Sequence, residues 1–207
     1  MAKRVAVFID AQNMYQGART TFFGRSGSHT LGQFDPRKFG ELVCQKAPVG
    51  GTDIDRALVD VRVYTGRPDS SKDPRSYGAH MRQSAAWEKR GVIVRPRTLR
   101  YPFDWPSRPA EEKGVDVALA IDFVTMAVDG TYDIGVIAST DTDLRPAIEY
   151  VIEKTAASAE VAAWIAGPRA GLTIPGIHLW CHRLSRNDYD LVADPTDYNI
   201  RPQVSRS

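Results

Sequence analysis

Apolar positions along the chain follow two alternating patterns, one typical of strands and one typical of helices. Short β-branched runs, each interrupted by few polar residues, predict strands over 4–10, 57–65, 92–100, 132–138, 160–165 and 177–182. Apolar residues at three-to-four spacing predict helices over 36–46, 75–90, 115–128 and 144–154. The segment 12–23 fits either a helix or a structured loop, and 188–192 fits one further turn of helix.

This order of elements predicts the fold class. Strands that alternate with helices of 10–15 residues indicate an α/β fold with a mostly parallel central sheet and helices on both faces, a three-layer sandwich. Pro96 interrupts the hydrogen-bonding pattern of its strand, so we expect that strand near an edge. Sheets of this kind bind ligands outside the carboxyl ends of their strands.

Composition sets the class of protein more than its function. The 207 residues are 43% hydrophobic and 25% charged, values typical of a globular chain. We expect one domain over 1–185 and a short C-terminal extension over 186–207. Two cysteines form no disulfide framework, and no apolar run suits a signal peptide or a membrane span, so a cytoplasmic protein is expected.

The net charge of +2 hides an uneven distribution. Residues 62–113 carry 12 basic and 6 acidic side chains, a balance of +6, whereas residues 114–160 carry 2 basic and 9 acidic ones, a balance of −7. Solvated helix faces would explain both blocks. The more specific interpretation is an acidic metal pocket beside a surface that binds phosphates.

Carboxylates fall at the points where predicted strands end or helices begin. Asp10 ends the first strand and is followed by Asn13, and Asp141 and Asp143 follow the strand at 132–138. Asp116 opens the helix at 115–128. Because the ends of central parallel strands converge, we expect these four carboxylates to face one crevice. Each aspartate also fits a simpler role, as a helix N-cap or a first-turn acid.

Several carboxylates in one cleft repel each other, and a divalent cation removes that conflict. Oxygen ligands without histidine or cysteine favour Mg²⁺ or Mn²⁺, which can activate water for phosphodiester hydrolysis. Asn13 would position a carboxylate or the water. Lys113, placed three residues before Asp116 and hence expected on the same helical face, would contact a phosphate, and Ser139 would orient the neighbouring carboxylates.

Three motifs in this order resemble a known family. The segments FIDAQN, KGVDVALAIDF and ASTDTDL are similar to the NYN domain, the branch of PIN-like nucleases that includes the LabA-like proteins. The resemblance covers roughly residues 4–166 and implies a PIN-like fold with Mg²⁺- or Mn²⁺-dependent ribonuclease activity. Carried over by motif, it implies metal ligands at Asp10, Asp116, Asp141 and Asp143, with Asn13 in support. Thr140 stands where the family usually has glycine, and Leu144 where it usually has phenylalanine.

The basic block suggests a partner. Arginine outnumbers lysine by 20 to 7, and arginine suits both bidentate contact with phosphate and stacking on bases. Arg95 and Arg97 are candidate substrate contacts, together with Lys113 and Ser139, and aromatic residues are interleaved with the arginines. Single-stranded RNA is the partner expected of such a surface. The simpler interpretation places the aromatic residues in the core and the arginines on a solvated surface.

The leading hypothesis is therefore a metal-dependent endoribonuclease. The rivals are a non-catalytic RNA- or protein-binding module of the same fold, and a nuclease or phosphatase that acts on DNA or small phosphate esters. Neither a dinucleotide-binding fingerprint nor a phosphate-binding P-loop is present, and Ser139 lacks the sequence context of a hydrolase nucleophile. A homodimer is possible from the sequence, and no membrane partner is expected.

Overall fold

A computed structural model describes residues 1–24, 27–46, 55–165 and 171–200. Its strands are β1 (Lys3–Asp10), β2 (Arg56–Arg67), β3 (Ile93–Thr98), β4 (Ile134–Ala138), β5 (Ser158–Trp164) and β6 (Trp180–Leu184). Its α-helices are α1 (Ala11–Ala18), α2 (Pro36–Gln45), α3 (Pro74–Glu88), α4 (Val115–Val128), α5 (Arg145–Lys154) and α6 (Arg186–Val192). A π-helical turn over Arg19–Phe23 follows α1, and a 3-10 turn over Thr142–Leu144 precedes α5.

The six strands form one sheet in the order β3-β2-β1-β4-β5-β6. Each neighbouring pair is parallel, so the predicted α/β fold with a parallel sheet is confirmed. The strand β3 lies at one edge, as Pro96 predicts, because an edge strand loses nothing when its outer side has no N–H to donate. The two central strands are β1 and β4, and Ile9 pairs with Ala138 at their carboxyl ends.

Two apolar layers cover the sheet. Alternate residues of β1 point to opposite sides, with Val7 in one buried cluster and Phe8 in the other. The first layer packs α1, α2, α3 and α6 against the sheet, and the second packs α4 and α5. The three-layer arrangement follows from β1 being apolar on both faces, as a central parallel strand must be.

Most predicted elements appear with bounds shifted by one or two residues. The segment 12–23 contributes a helix and then the π-helical turn. The prediction for the last strand is wrong by several residues, since β6 begins at Trp180. Ile174 and Ile177 close a tight turn through a backbone bridge, and Gly176 adopts a φ of 78° within it, so the chain becomes extended only after the turn.

The C-terminal extension contributes to the core. Ser185 and Asp188 form a reciprocal capping box that starts α6, and Tyr189 and Val192 are buried against the sheet. A domain boundary at residue 185 stays a prediction. None of the helices in the described parts of the chain has the length and apolar character needed to cross a bilayer.

A buried ionic network joins β2, β5 and β6 near the end of the sheet where β2 begins. Arg56 donates to both carboxylate oxygens of Glu160, at 3.0 and 2.6 Å, and a ring nitrogen of His182 lies 2.7 Å from the same carboxylate. Burial alone would raise the pKa of Glu160, but the hydrogen bonds from His182 and Arg56 outweigh it and hold that pKa below its usual value. Glu160 is therefore a buried anion held by its partners.

We predict that Glu160→Gln lowers the free energy of unfolding by about 3 kcal/mol, because Arg56 is left as a buried cation without its counter-ion. Urea denaturation followed by circular dichroism measures the change. Glu41→Gln is the matched control, since it breaks an exposed pair with Arg37 and should cost less than about 0.5 kcal/mol. Equal stability of Glu160→Gln and the wild type would contradict a structural role for the network.

Candidate functional site

The site lies where the connections leaving the two central strands diverge. From β1 the chain proceeds toward β2 on one side, and β4 leads to β5 on the other, so a crevice remains beyond the carboxyl ends of β1 and β4. Asp10 and Ser139 occupy equivalent positions there, one at the end of β1 and the other immediately after β4. The parallel pairing of these strands therefore brings together residues 129 positions apart in the sequence.

Hydrogen bonds connect Asp10 to the loop after β4. The Asp10 carboxylate accepts from the backbone N–H of Asn13 at 3.0 Å, which caps α1, and from the Ser139 hydroxyl at 3.2 Å. The backbone N–H of Asp141 donates to that same hydroxyl at 3.1 Å, and the N–H of Asp143 donates to the Asp141 carboxylate at 3.0 Å. Ser139 is fully buried and orients both neighbouring aspartates, while its direct contact with a substrate stays a prediction.

Asn13 fixes the position of the same loop. Its side-chain oxygen accepts from the backbone N–H of Thr140 at 3.0 Å and from the Thr140 hydroxyl at 3.1 Å. Thr140 has an ordinary negative φ, so the backbone at this position does not require the glycine that is usual in the family. Its side chain adds a hydrogen bond to Asn13 and leaves the loop in place.

Glu112 is a fifth carboxylate at the site, and the sequence did not reveal it. Its side chain accepts from the backbone N–H of Gly66, at the end of β2, at 2.6 Å. With its amide oriented by the hydrogen-bond network, Gln12 donates to the two carboxylate oxygens of Glu112 at 3.0 and 3.1 Å. The neighbouring Glu111 forms a backbone bridge with Arg100, and this long-range pairing, invisible to local periodicity, positions Glu112.

The carboxylates at the site raise each other's proton affinity. Burial raises the pKa of Asp10, and the negative charges of Asp141 and Asp116 act in the same direction against the hydrogen bonds from Asn13 and Ser139. Burial likewise raises the pKa of Glu112, and the charges of Asp10 and Asp116 add to it. Burial is the larger cause of the raised pKa values, and the repulsion between neighbouring carboxylates adds to it.

Asp116 approaches from α4, but Lys113 does not share its helical face. Gly114 precedes the helix with a φ of 74°, in the left-handed region, so Lys113 lies outside α4 and is exposed. The expectation of a common face is therefore wrong, because the helix begins two residues after Lys113. Asp116 and Asp143 line one open cleft of about 440 Å³ between α4 and α5, and Asp10, Asn13 and Glu112 line another of about 620 Å³.

Other acidic and basic side chains belong elsewhere. Asp122 accepts from the hydroxyl of Tyr64 at 2.8 Å and from Arg62 at 3.1 Å, so it ties α4 to β2 and has a structural role. Arg95 pairs with the same carboxylate at 3.4 Å. Arg95 and Arg97 are exposed on β3, two strands from β1, and their contact with a substrate stays a prediction.

The donor atoms at the site suit a hard cation. Every side chain that the hydrogen bonds and charges bring together offers oxygen, with neither a sulfur nor an imidazole nitrogen among them. Within the described ranges, no three carboxylate, histidine or cysteine side chains are close enough to hold one ion together. Asp143 is exposed and Asp141 is half-buried, and side chains that reach the surface change rotamer readily.

Comparison with solved structures supports the fold. A crystal structure of a Vibrio parahaemolyticus protein of unknown function superposes with a TM-score of 0.52 at 17% sequence identity. The alignment covers 78% of this chain and 81% of that one. At this identity the likeness concerns the fold alone. No curated protein matches the chain significantly.

The family is given by the sequence profile. The NYN domain matches residues 4–165, which span β1 to the end of β5 and include Asp10, the loop after β4 and α4. The match covers most of the chain and agrees with the six-stranded parallel sheet and its flanking helices. The protein therefore belongs to the NYN domain family and has a PIN-like nuclease fold.

Proposed function

We propose that the protein is a metal-dependent ribonuclease that hydrolyses phosphodiester bonds of single-stranded RNA. The observation that carries this proposal is the hydrogen-bonded link between Asp10 and the Ser139–Thr140–Asp141 loop at the divergence of β1 and β4. Membership of a family with a PIN-like nuclease fold supports it. Asp116 and Glu112 interact electrostatically with Asp10 from two further segments.

Mg²⁺ or Mn²⁺ is the cofactor that suits these residues. Asp10, Asp116, Asp141 and Asp143 would hold it, with Asn13 keeping the loop after β4 in place. The bound cation would supply an activated water and charge neutralisation for the departing oxygen. Its charge would also relieve the mutual repulsion that, together with burial, raises the pKa of Asp10 and Glu112.

The protein's own residues would contribute oriented carboxylates and contacts to the RNA. Ser139 and the N–H of Asn13 fix the orientation of the Asp10 carboxylate at the crevice. The N–H of Gly66 holds Glu112 in the lining of the same cleft. Lys113, Arg95 and Arg97 would contact phosphates of the RNA from the basic surface. A cytoplasmic location and a possible homodimer remain part of the proposal.

One observation favours a second candidate function. Within the described ranges, no three carboxylates are grouped closely enough to hold one ion. This arrangement fits a member of the family that binds RNA or protein without cleaving it. A nuclease or phosphatase that acts on DNA or small phosphate esters would share the same site chemistry. Cleavage assays with variants and a substrate panel separate these possibilities.

We predict that Asp10→Asn reduces cleavage of single-stranded RNA roughly 100-fold in the presence of Mn²⁺ or Mg²⁺, because it removes a ligand charge while keeping the cap of α1. Gel analysis of a labelled oligonucleotide measures the rate. Asp129→Asn, at the exposed end of α4, is the matched control and should retain the wild-type rate. The nuclease proposal would be wrong if the purified wild type did not cleave the RNA. It would also be wrong if Asp10→Asn cleaved the RNA at the wild-type rate. DNA of the same sequence and a nitrophenyl phosphate ester complete the panel.

We also predict that Mn²⁺ raises the melting temperature of the wild type by about 5 °C or more at saturation, since a ligand present at 100 times its Kd stabilises by about 2.7 kcal/mol. Asp141→Asn should abolish most of this shift, because asparagine can still cap the turn at Thr142 but lacks the charge. Differential scanning calorimetry with and without Mn²⁺ measures it. Asp129→Asn should keep the full shift. A shift that survives in Asp141→Asn would place the cation elsewhere.

Glu112 has its own test, because the family motif does not include it. Glu112→Gln keeps an acceptor for the N–H of Gly66 and removes one of the charges that interact with Asp10 and Asp116. If Glu112 helps to hold the cation, this variant should also lose the Mn²⁺-induced melting shift. A full shift together with wild-type cleavage would limit Glu112 to shaping the wall of the cleft.

A further inference from the structure

A third cavity opens beside the carboxylates and is distinct from the cleft at Asp10. Its volume is about 550 Å³, within the range of pockets that hold small molecules. Its walls come from α1, α3, the end of β2 and the segment before residue 200. Gln12, Gln16 and Glu112 line both this cavity and the cleft at Asp10, so the two are adjacent across a shared wall.

The chemistry of the lining is aromatic and neutral polar. Tyr15, Phe34 and Trp87 contribute ring surface. Five side-chain amides stand among the lining residues, those of Gln12, Gln16, Gln33, Gln83 and Asn199. An amide offers both donors and an acceptor, which is the combination that matches the edge of a nucleobase.

Two polar groups on α3 lack strong partners at this cavity. Trp87 is 8% exposed, and its buried indole nitrogen has no hydrogen-bond partner among the described residues. His80 is 9% exposed, and its ring has only a long contact of 3.4 Å with the hydroxyl of Ser84. Burial and the nearby charge of Arg67 lower the pKa of His80, so the ring is neutral at neutral pH and offers one donor and one acceptor.

The charge of the described lining disfavours a phosphate as the main occupant. Among the described residues, no lysine or arginine lines the cavity, and the one carboxylate there, Glu112, would repel an anion. A flat, uncharged ring with polar edges meets both the aromatic surface and the amides. The carboxylate cleft next to it suits a cation and, through that cation, a phosphate.

We propose that this cavity is a nucleobase subsite, which receives one base of a single-stranded RNA whose backbone crosses the carboxylate cleft. This proposal rests on the proposed ribonuclease function for the identity of the polymer. The amides of Gln16 and Gln83 read the edge of the base, and Gln33 orients Gln83 by accepting its hydrogen bond at 3.2 Å. Trp87 and Phe34 contribute the apolar wall of the subsite. The subsite selects which phosphodiester bond lies at Asp10.

The test compares binding of two oligomers to variants on α3. One probe is a labelled ten-nucleotide single-stranded RNA, and the other has the same ribose-phosphate backbone without bases. Fluorescence anisotropy in EDTA gives the Kd values, so metal-dependent cleavage cannot occur. The wild type should bind the RNA about ten-fold or more tighter than the abasic oligomer, as base–aromatic contact predicts.

Ala79→Phe fills the cavity from the half-buried side of α3 and should remove this preference. Ala85→Phe is the matched control, because Ala85 is exposed on the same helix and does not line the cavity, and it should keep the wild-type ratio. Circular dichroism verifies folding. If Ala79→Phe does not fold, Gln83→Ala decides, with an expected loss of about five-fold in RNA affinity and none for the abasic oligomer.

The outcomes separate this proposal from the function on which it rests. A wild type without preference for bases, or a folded Ala79→Phe that keeps the preference, overturns the nucleobase subsite. If Ala79→Phe does not fold, unchanged RNA binding by Gln83→Ala overturns the subsite instead. If the wild type prefers bases but shows no cleavage that depends on Asp10, the subsite is supported and the nuclease proposal is wrong. If cleavage depends on Asp10 but the wild type shows no preference for bases, the nuclease proposal is supported and the subsite is wrong.

Discussion

Parallel pairing of β1 with β4 is the constraint on which the site depends. Both strands are buried on both faces, so their register is fixed by core packing, and Asp10 must then stand beside Ser139. The connections that leave the two strands run to opposite sides and keep the space above them open. The buried Arg56–Glu160 pair stabilises the sheet near the end where β2 starts. Stability and the candidate chemistry thus rest on opposite ends of the same sheet.

The carboxylates at the crevice are arranged at an energetic cost that the surrounding hydrogen bonds partly offset. Asp10 receives hydrogen bonds from Asn13 and Ser139, and these favour its charged form against burial and the nearby charges. Burial and the nearby charges together outweigh these hydrogen bonds, so the pKa of Asp10 is still raised. The local structure thus holds Asp10 in place without a positive charge to balance it. A bound cation would balance the negative charge of these carboxylates. The same reasoning applies to Glu112, where the hydrogen bond from Gly66 lowers the pKa less than burial and the nearby charges raise it.

Local pattern predicts the parts of this structure whose cause is local. The bounds of α4 follow from its apolar run between Gly114 and Gly130, and the start of α2 follows from Asp35 and Pro36. Asp10, Asp141 and their neighbours could be placed because strand ends in a parallel sheet share an edge. The exposed position of Lys113 depends on the left-handed φ of Gly114, which spacing does not reveal. Glu112 depends on a bridge between Glu111 and Arg100, and the late start of β6 on a turn closed by tertiary contact.

The charge surplus of the segment 62–113 is smaller in the folded protein than in the sequence. Arg62 and Arg95 pair with Asp122, and Arg90 pairs with the N-cap residue Asp35, and both carboxylates lie outside this segment. Cations held by neighbouring carboxylates attract phosphates less than free ones, because each pair presents little net charge. Backbone attraction alone therefore gives this surface limited power to choose among positions on an RNA chain. Neutral contacts in a pocket next to the carboxylates can make that choice, since hydrogen bonds to a base edge depend on geometry and very little on salt. The amide-rich cavity beside Glu112 is where the described structure provides them.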